Sequence, residues 1–107
     1  MPPNAVRRVR DFIEAHLEKN ICVQALATVA GVSTYHFARA FKQSEGVTPH
    51  DYLMQRRVRR AQDLLAATDL PLSQIALASG FADQSHCIRR FREQVGITPG
   101  SYRWSMR

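Results

Sequence analysis

Arginine recurs at two places 50 residues apart, Arg39 and Arg89, each within a stretch whose apolar residues follow helical spacing. A guanidinium projecting from a helix can donate paired hydrogen bonds to O6 and N7 of guanine, the commonest specific contact in a DNA major groove. Tyr35, Ala38 and Lys42 fall on the same stripe as Arg39, opposite a stripe of Phe37, Ala40, Phe41 and Ser44 whose large members should pack inward. A shift of 50 residues gives the matching outward stripe Ser85, Ile88, Arg89 and Arg92. Gln84, Ser85 and His86, nearer the start of the second stretch, are further candidates for base edges, and Gln84 suits adenine. Tyr35 could stack on a sugar or a thymine methyl, or pack on the protein. Lys42 and Arg92 lie farther along and suit phosphates. So do Ser33, Thr34 and Ser73, where free N–H groups at helix starts favour anions. Either arginine alone would read as a solvated surface residue; the matched pair favours DNA.

Other chemistries fail on spacing. Asp83, Ser85 and His86 lie within four residues of one helix, project around it, and cannot form a nucleophilic relay. His16, His36, His50 and His86 lack metal-ligand spacing, and Cys22 and Cys87 supply neither a zinc set nor the metal-binding cysteine cluster of a repair enzyme. Cys87 aligns with Phe37 and reads as a small core residue. No enzyme, metal or cofactor is therefore expected. The 107 residues carry 15 Lys plus Arg against 9 Asp plus Glu, a net charge of +6, which fits a polyanionic partner. No apolar run approaches the roughly 18 residues of a membrane span, and no secretory signal is visible. With no paired-cysteine motif, these features suggest a cytoplasmic protein.

The elements that must position these residues read as helices throughout, with no sustained alternation to suggest a sheet. The pattern predicts helices over about residues 3–19, 23–30, 34–44, 49–67, 73–79 and 84–95, and a last short one through Tyr102 and Trp104. Ser33, Thr48 and Asp83 suit N-caps, and Gly31, Gly46, Gly80 and Gly96 suit helix ends. The fourth helix would span ~28 Å at 1.5 Å per residue. Its Arg56-Arg57-Val58-Arg59-Arg60 run cannot all face one way, since Val58, Ala61, Leu64 and Leu65 mark a buried side. Some of these arginines should pair with Asp63 or other carboxylates, and others could brush a DNA backbone.

The chain also repeats itself. Leu26-Ala27-x-x-Ala30-Gly31 matches Ile75-Ala76-x-x-Ser79-Gly80, and Phe41-Lys42-x-x-x-Gly46-Val47-Thr48-Pro49-x-x-Tyr52 matches Phe91-Arg92-x-x-x-Gly96-Ile97-Thr98-Pro99-x-x-Tyr102. The second copy has one extra residue in its turn, Phe81-Ala82 against Val32. A small residue for close helix approach, then a glycine turn flanked by apolar residues, is the physical signature of a helix-turn-helix. A stacked helical solenoid would require at least three units and no distinct connecting helix.

The second half, Ile75-Ala76-x-x-Ser79-Gly80-Phe81-x-Asp83-x-Ser85-His86-x-x-Arg89-x-Phe91-Arg92-x-x-x-Gly96-x-Thr98-Pro99-x-x-Tyr102-Arg103, resembles the signature of the AraC/XylS family of bacterial transcriptional regulators. Three positions depart from the family pattern. Cys87 stands where an aromatic or large apolar residue is usual, Arg92 where Lys is common, and Ile88 where a small polar residue is frequent. The resemblance implies an all-α, homeodomain-like fold of about seven helices. Residues 1–47 and 68–107 would form two helix-turn-helix subdomains, with residues 48–67 as the linker helix. It further implies double-stranded DNA as partner, with recognition helices over about residues 34–44 and 84–95 entering successive major grooves of an asymmetric promoter site. Contact with RNA polymerase and a monomeric isolated domain follow as expectations. A small-molecule effector would act only through a separate domain. The chain reads as a small stand-alone regulator or as a domain cut from a larger one; its start just before the first helix and its end soon after the second motif favour the cut domain. A helix-turn-helix contacting only protein is the alternative, and steep salt dependence of DNA binding separates the two.

Overall fold

Short apolar stripes separated by polar caps and glycine turns leave this sequence one economical way to bury its large side chains, as helices packed in threes. The computed structural model describes residues 1–107 and contains seven helices and no strand. They are α1 (Pro3–Ala15), α2 (Val23–Ala30), α3 (Thr34–Glu45), α4 (Pro49–Ala67), α5 (Leu72–Ala78), α6 (Gln84–Val95) and α7 (Pro99–Ser105). The chain divides into two compact units, Met1–Leu53 and Met54–Arg107, with the division inside α4. No helix is long and apolar enough to cross a membrane.

In the first unit α1 packs on α2, and α2 on α3. Val9, Ile13, Leu26, Phe37 and Phe41 are almost wholly buried, and Ala27, with only a methyl side chain, lies between them at 2% exposure. Arg10 on α1 binds the carboxylate of Glu45 at the end of α3, with its Nε 2.8 Å from Oε1. That link joins residues 35 apart in sequence and was invisible to periodicity. In the second unit α5 packs on α6, and α6 on α7, around Val58, Leu65, Ile75, Cys87 and Phe91. Here Arg103 of α7 donates from Nε to the Leu65 carbonyl (3.2 Å) and from Nη2 to that of Thr68 (3.1 Å). It thereby satisfies carbonyls at the C-terminal end of α4 that have no partner within the helix.

The sequence repeat is a repeat of hydrogen bonds. Gly31 closes α2 at φ +77°, and Gly80 follows α5 at φ +96°; both lie in the left-handed region that costs a residue with a Cβ about 1–2 kcal/mol. The next amide reaches back five residues in each case, Val32 to Ala27 O at 3.1 Å and Phe81 to Ala76 O at 2.9 Å. The caps then match. Ser33 Oγ accepts from His36 N at 3.2 Å, and Asp83 Oδ1 accepts from His86 N at 2.8 Å. Downstream, Thr48 Oγ1 accepts from Asp51 N, and Thr98 Oγ1 from Ser101 N, both at 3.1 Å. Finally, Phe41 meets Tyr52 edge-on with ring centres 5.4 Å apart, and Phe91 meets Tyr102 likewise at 5.5 Å. The G-x-T-P-x-x-Y motif therefore does two jobs: its threonine starts the next helix, and its tyrosine braces the buried phenylalanine of the preceding one.

Four helix ends differ from the sequence reading; α3 runs one residue further, to Glu45, and α5 ends one residue earlier, at Ala78. The first helix stops at Ala15 rather than near Lys19, because the His16 ring stacks on Phe12 (4.2 Å) with Nδ1 2.8 Å from the Phe12 carbonyl. The His16 amide makes a tighter bond to Ile13 O. Leu17 stays buried in the turn that follows. The fifth helix runs from Leu72 rather than Ser73, with Pro71 as its cap residue, since the fixed φ of proline suits that place.

Candidate nucleic-acid interface

Both α3 and α6 bury one side and expose the other. Phe37 and Phe41 on α3, and Cys87 and Phe91 on α6, are 0% exposed. Burial pushes the Cys87 thiol up to about 11, so it behaves as an apolar core group. The opposite sides are open. On α3, Tyr35, His36, Arg39, Ala40 and Gln43 border one open surface; on α6, Ser85, Ile88, Arg89, Arg92 and Glu93 border another.

The sequence candidates are placed as follows. Tyr35, Arg39 and Lys42 are exposed on α3, and Arg39 Nη1 donates to Tyr35 Oη at 3.2 Å. On α6, Gln84, Ser85, Arg89 and Arg92 are exposed, while Ile88 and His86 are half-buried. Ser33 and Thr34 sit exposed at the start of α3, Ser33 as its hydrogen-bonded cap. Ser73 is exposed at the second position of α5, whose start has no side-chain cap. The base-edge candidates thus gather on two helix faces, and the phosphate candidates lie at helix starts and farther along α3 and α6.

His86 differs from its neighbours. Its ring meets Phe81 edge-on at 5.3 Å. Partial burial, then the charge of Arg89, hold its pKa below the ordinary imidazole value, against the opposing pull of Asp83. The shift favours the neutral ring, which can accept from one nitrogen and donate from the other.

The arginines of α4 are mostly committed within the protein. Arg57 is buried, Arg59 pairs with Asp63 at 3.6 Å, and Arg60 Nε donates to the Ala78 carbonyl at 2.9 Å, closing the end of α5. The expected pairing with Asp63 is present. Two polar residues on the open faces escaped the sequence reading, Gln43 and Glu93. Each follows its arginine by four residues, so helical spacing alone could have found them. Glu93 lies 3.4 Å from Arg90.

Comparison with known proteins gives a consistent result. A family model described as a helix-turn-helix domain matches residues 26–105. The probable transcriptional regulator LumQ of Photobacterium leiognathi is 37% identical over 99 residues, which cover 92% of this chain and 40% of that protein. The chain thus spans well under two thirds of that relative's length. A crystal structure of an AraC-type DNA-binding-domain regulator from Chromobacterium violaceum superimposes with a TM-score of 0.90 at 31% identity, covering 96% of this chain and 92% of that one. The DNA-binding domain of the global transcriptional factor AdpA, solved in complex with a target DNA, gives a TM-score of 0.87 at 31% identity, over 94% and 90% of the two chains.

Proposed function

The chain belongs to the AraC-type family of helix-turn-helix transcriptional regulators as a sequence-specific DNA-binding domain, and we propose that it reads DNA through the open faces of α3 and α6. One observation carries this reading: two helices with matching caps and matching buried phenylalanines expose an arginine at the same position, Arg39 and Arg89. Each guanidinium would take the O6 and N7 of a guanine. Tyr35, Gln84, Ser85 and His86 would read or abut neighbouring base edges. Lys42, Arg92 and the amides near Ser33, Thr34 and Ser73 would hold phosphates and set the register.

Residues 1–47 and 68–107 act in this reading as the two subdomains, and residues 48–67 as their connector. The ~28 Å expected of a 19-residue helix supports entry into successive major grooves, about 34 Å apart, of one asymmetric promoter site. A single chain then needs no dimer to read its site, and the isolated domain acts as a monomer in the cytoplasm. In this reading the domain catalyses nothing, a small-molecule effector would act only through a domain other than these two subdomains, and RNA polymerase is a further partner.

Selection of bound duplexes from a random library tests the proposal. Two unlike half-sites about ten base pairs apart support it. A palindrome, or no enrichment, overturns it.

A further inference from the structure

We propose that Ile88 reads the 5-methyl group of a pyrimidine, thymine or 5-methylcytosine, next to the guanine taken by Arg89. The inference rests on the function proposed above and names one more component of the site. Ile88 is the apolar member of an open face otherwise bordered by Ser85, Arg89, Arg92 and Glu93. Its neighbours Cys87 and Phe91 are wholly buried, yet Ile88 is only half-buried, so the core leaves part of its aliphatic surface open.

Its place on the helix is central. Ser85 lies three residues before it and Arg92 four residues after it, both on the same face. A β-branched side chain in a helix is held near one χ1 rotamer, so Ile88 presents a stiff aliphatic surface rather than a mobile one.

The major groove offers one apolar group, the C5-methyl of thymine; 5-methylcytosine carries the same group at the same ring position. Against that methyl, Ile88 would bury the surface that the fold leaves open. Against a purine edge it would cover N7, O6 or N6 without a hydrogen bond, which is unfavourable. The residue therefore selects in both senses. The matching position on α3 carries Ala38, also half-buried but with a shorter reach, so this preference should be stronger in the second half of the site.

The test uses the purified chain and its selected duplex, with each thymine in turn replaced by uracil, which removes the methyl alone. Binding by the unaltered chain should weaken about fourfold at one position, the effect of returning one methyl group to water. That position should adjoin the guanine whose replacement no longer matters in Arg89→Ala. Ile88→Ser should bind the thymine duplex more weakly and ignore the uracil exchange, while Ile88→Val keeps most of the response. At the same position 5-methylcytosine should bind better than cytosine. Circular dichroism checks that the variants fold. Sequence-specific binding with no uracil-sensitive position, or with equal sensitivity in Ile88→Ser, overturns the role of Ile88 alone. Loss of all sequence preference in the unaltered chain overturns the proposed function, and this inference with it.

Discussion

Arg39 and Tyr35 are bound to each other on the exposed face of α3: Nη1 of Arg39 donates to the phenolic oxygen at 3.2 Å, and the guanidinium carbon stands 5.6 Å from the ring centre. The pair is one helical turn apart. At the matching place on α6 stands Ser85, too short to brace Arg89 in this way. The two arginines therefore begin from different states, one held by its tyrosine and one without that brace. Holding a side chain in advance reduces the entropy lost when it docks.

Arg39→Ala should cost about 1–3 kcal/mol on the cognate duplex and relax selectivity at one base pair. Tyr35→Phe keeps the ring and deletes the hydrogen bond, so it should cost less, about 0.5–1.5 kcal/mol. Fluorescence anisotropy with the four protein variants of a double-mutant cycle, each on the cognate duplex, measures both. If Tyr35 acts through Arg39, its phenylalanine variant costs nothing once Arg39 is alanine. Equal costs in both backgrounds would make Tyr35 an independent contact.

Lys42 and Arg92 are exposed on α3 and α6 and suit phosphates. Replacing either with alanine should weaken binding to cognate and scrambled duplexes alike. It should also reduce the slope of log K against log salt by about one. An effect confined to the cognate duplex would instead make that residue a base contact.

For His86 the sign of the pH effect follows from its depressed pKa. The folded chain binds this proton less readily than the unfolded chain, whose imidazole titrates near pH ~6.5. Stability from this residue is thus complete above about pH 6.5 and declines as the pH falls through the lower folded value. Urea midpoints measured between pH 7.5 and 5 should fall more steeply for the parent chain than for His86→Gln. Nearby phosphates favour the charged imidazole, so DNA affinity should rise on acidification over the same window, and His86→Gln should flatten that rise.

Ser79 is fully buried and its hydroxyl has no hydrogen-bond partner. The matching residue of the first unit is Ala30, which shows that alanine fits the same turn. A buried hydroxyl left unpaired costs about 1–3 kcal/mol. Ser79→Ala should therefore raise the urea midpoint, by about 1 kcal/mol of stability, with DNA affinity unchanged. A destabilised variant would reveal a hydrogen bond that Ser79 makes in solution.

The sequence by itself determined the seven helices, the caps Ser33, Thr48 and Asp83, and the two-fold repeat. Each rests on interactions between residues close in the chain: an apolar period, a hydroxyl three residues before an amide, a glycine where φ must be positive. It also placed Arg39 and Arg89 outward, because the buried phenylalanines two residues after Arg89 and Arg39 fix which way each helix faces. Contacts between distant residues were beyond its reach. Arg10 with Glu45, Arg60 with Ala78, and Arg103 with the end of α4 join residues 35, 18 and 35–38 positions apart. No periodicity encodes such pairs, since they depend on how helices pack. The same packing buries Arg57 of α4 and half-buries Arg56, His86 and Ile88. Charge and spacing were legible in the chain; which charges stay free for DNA was decided only by tertiary burial.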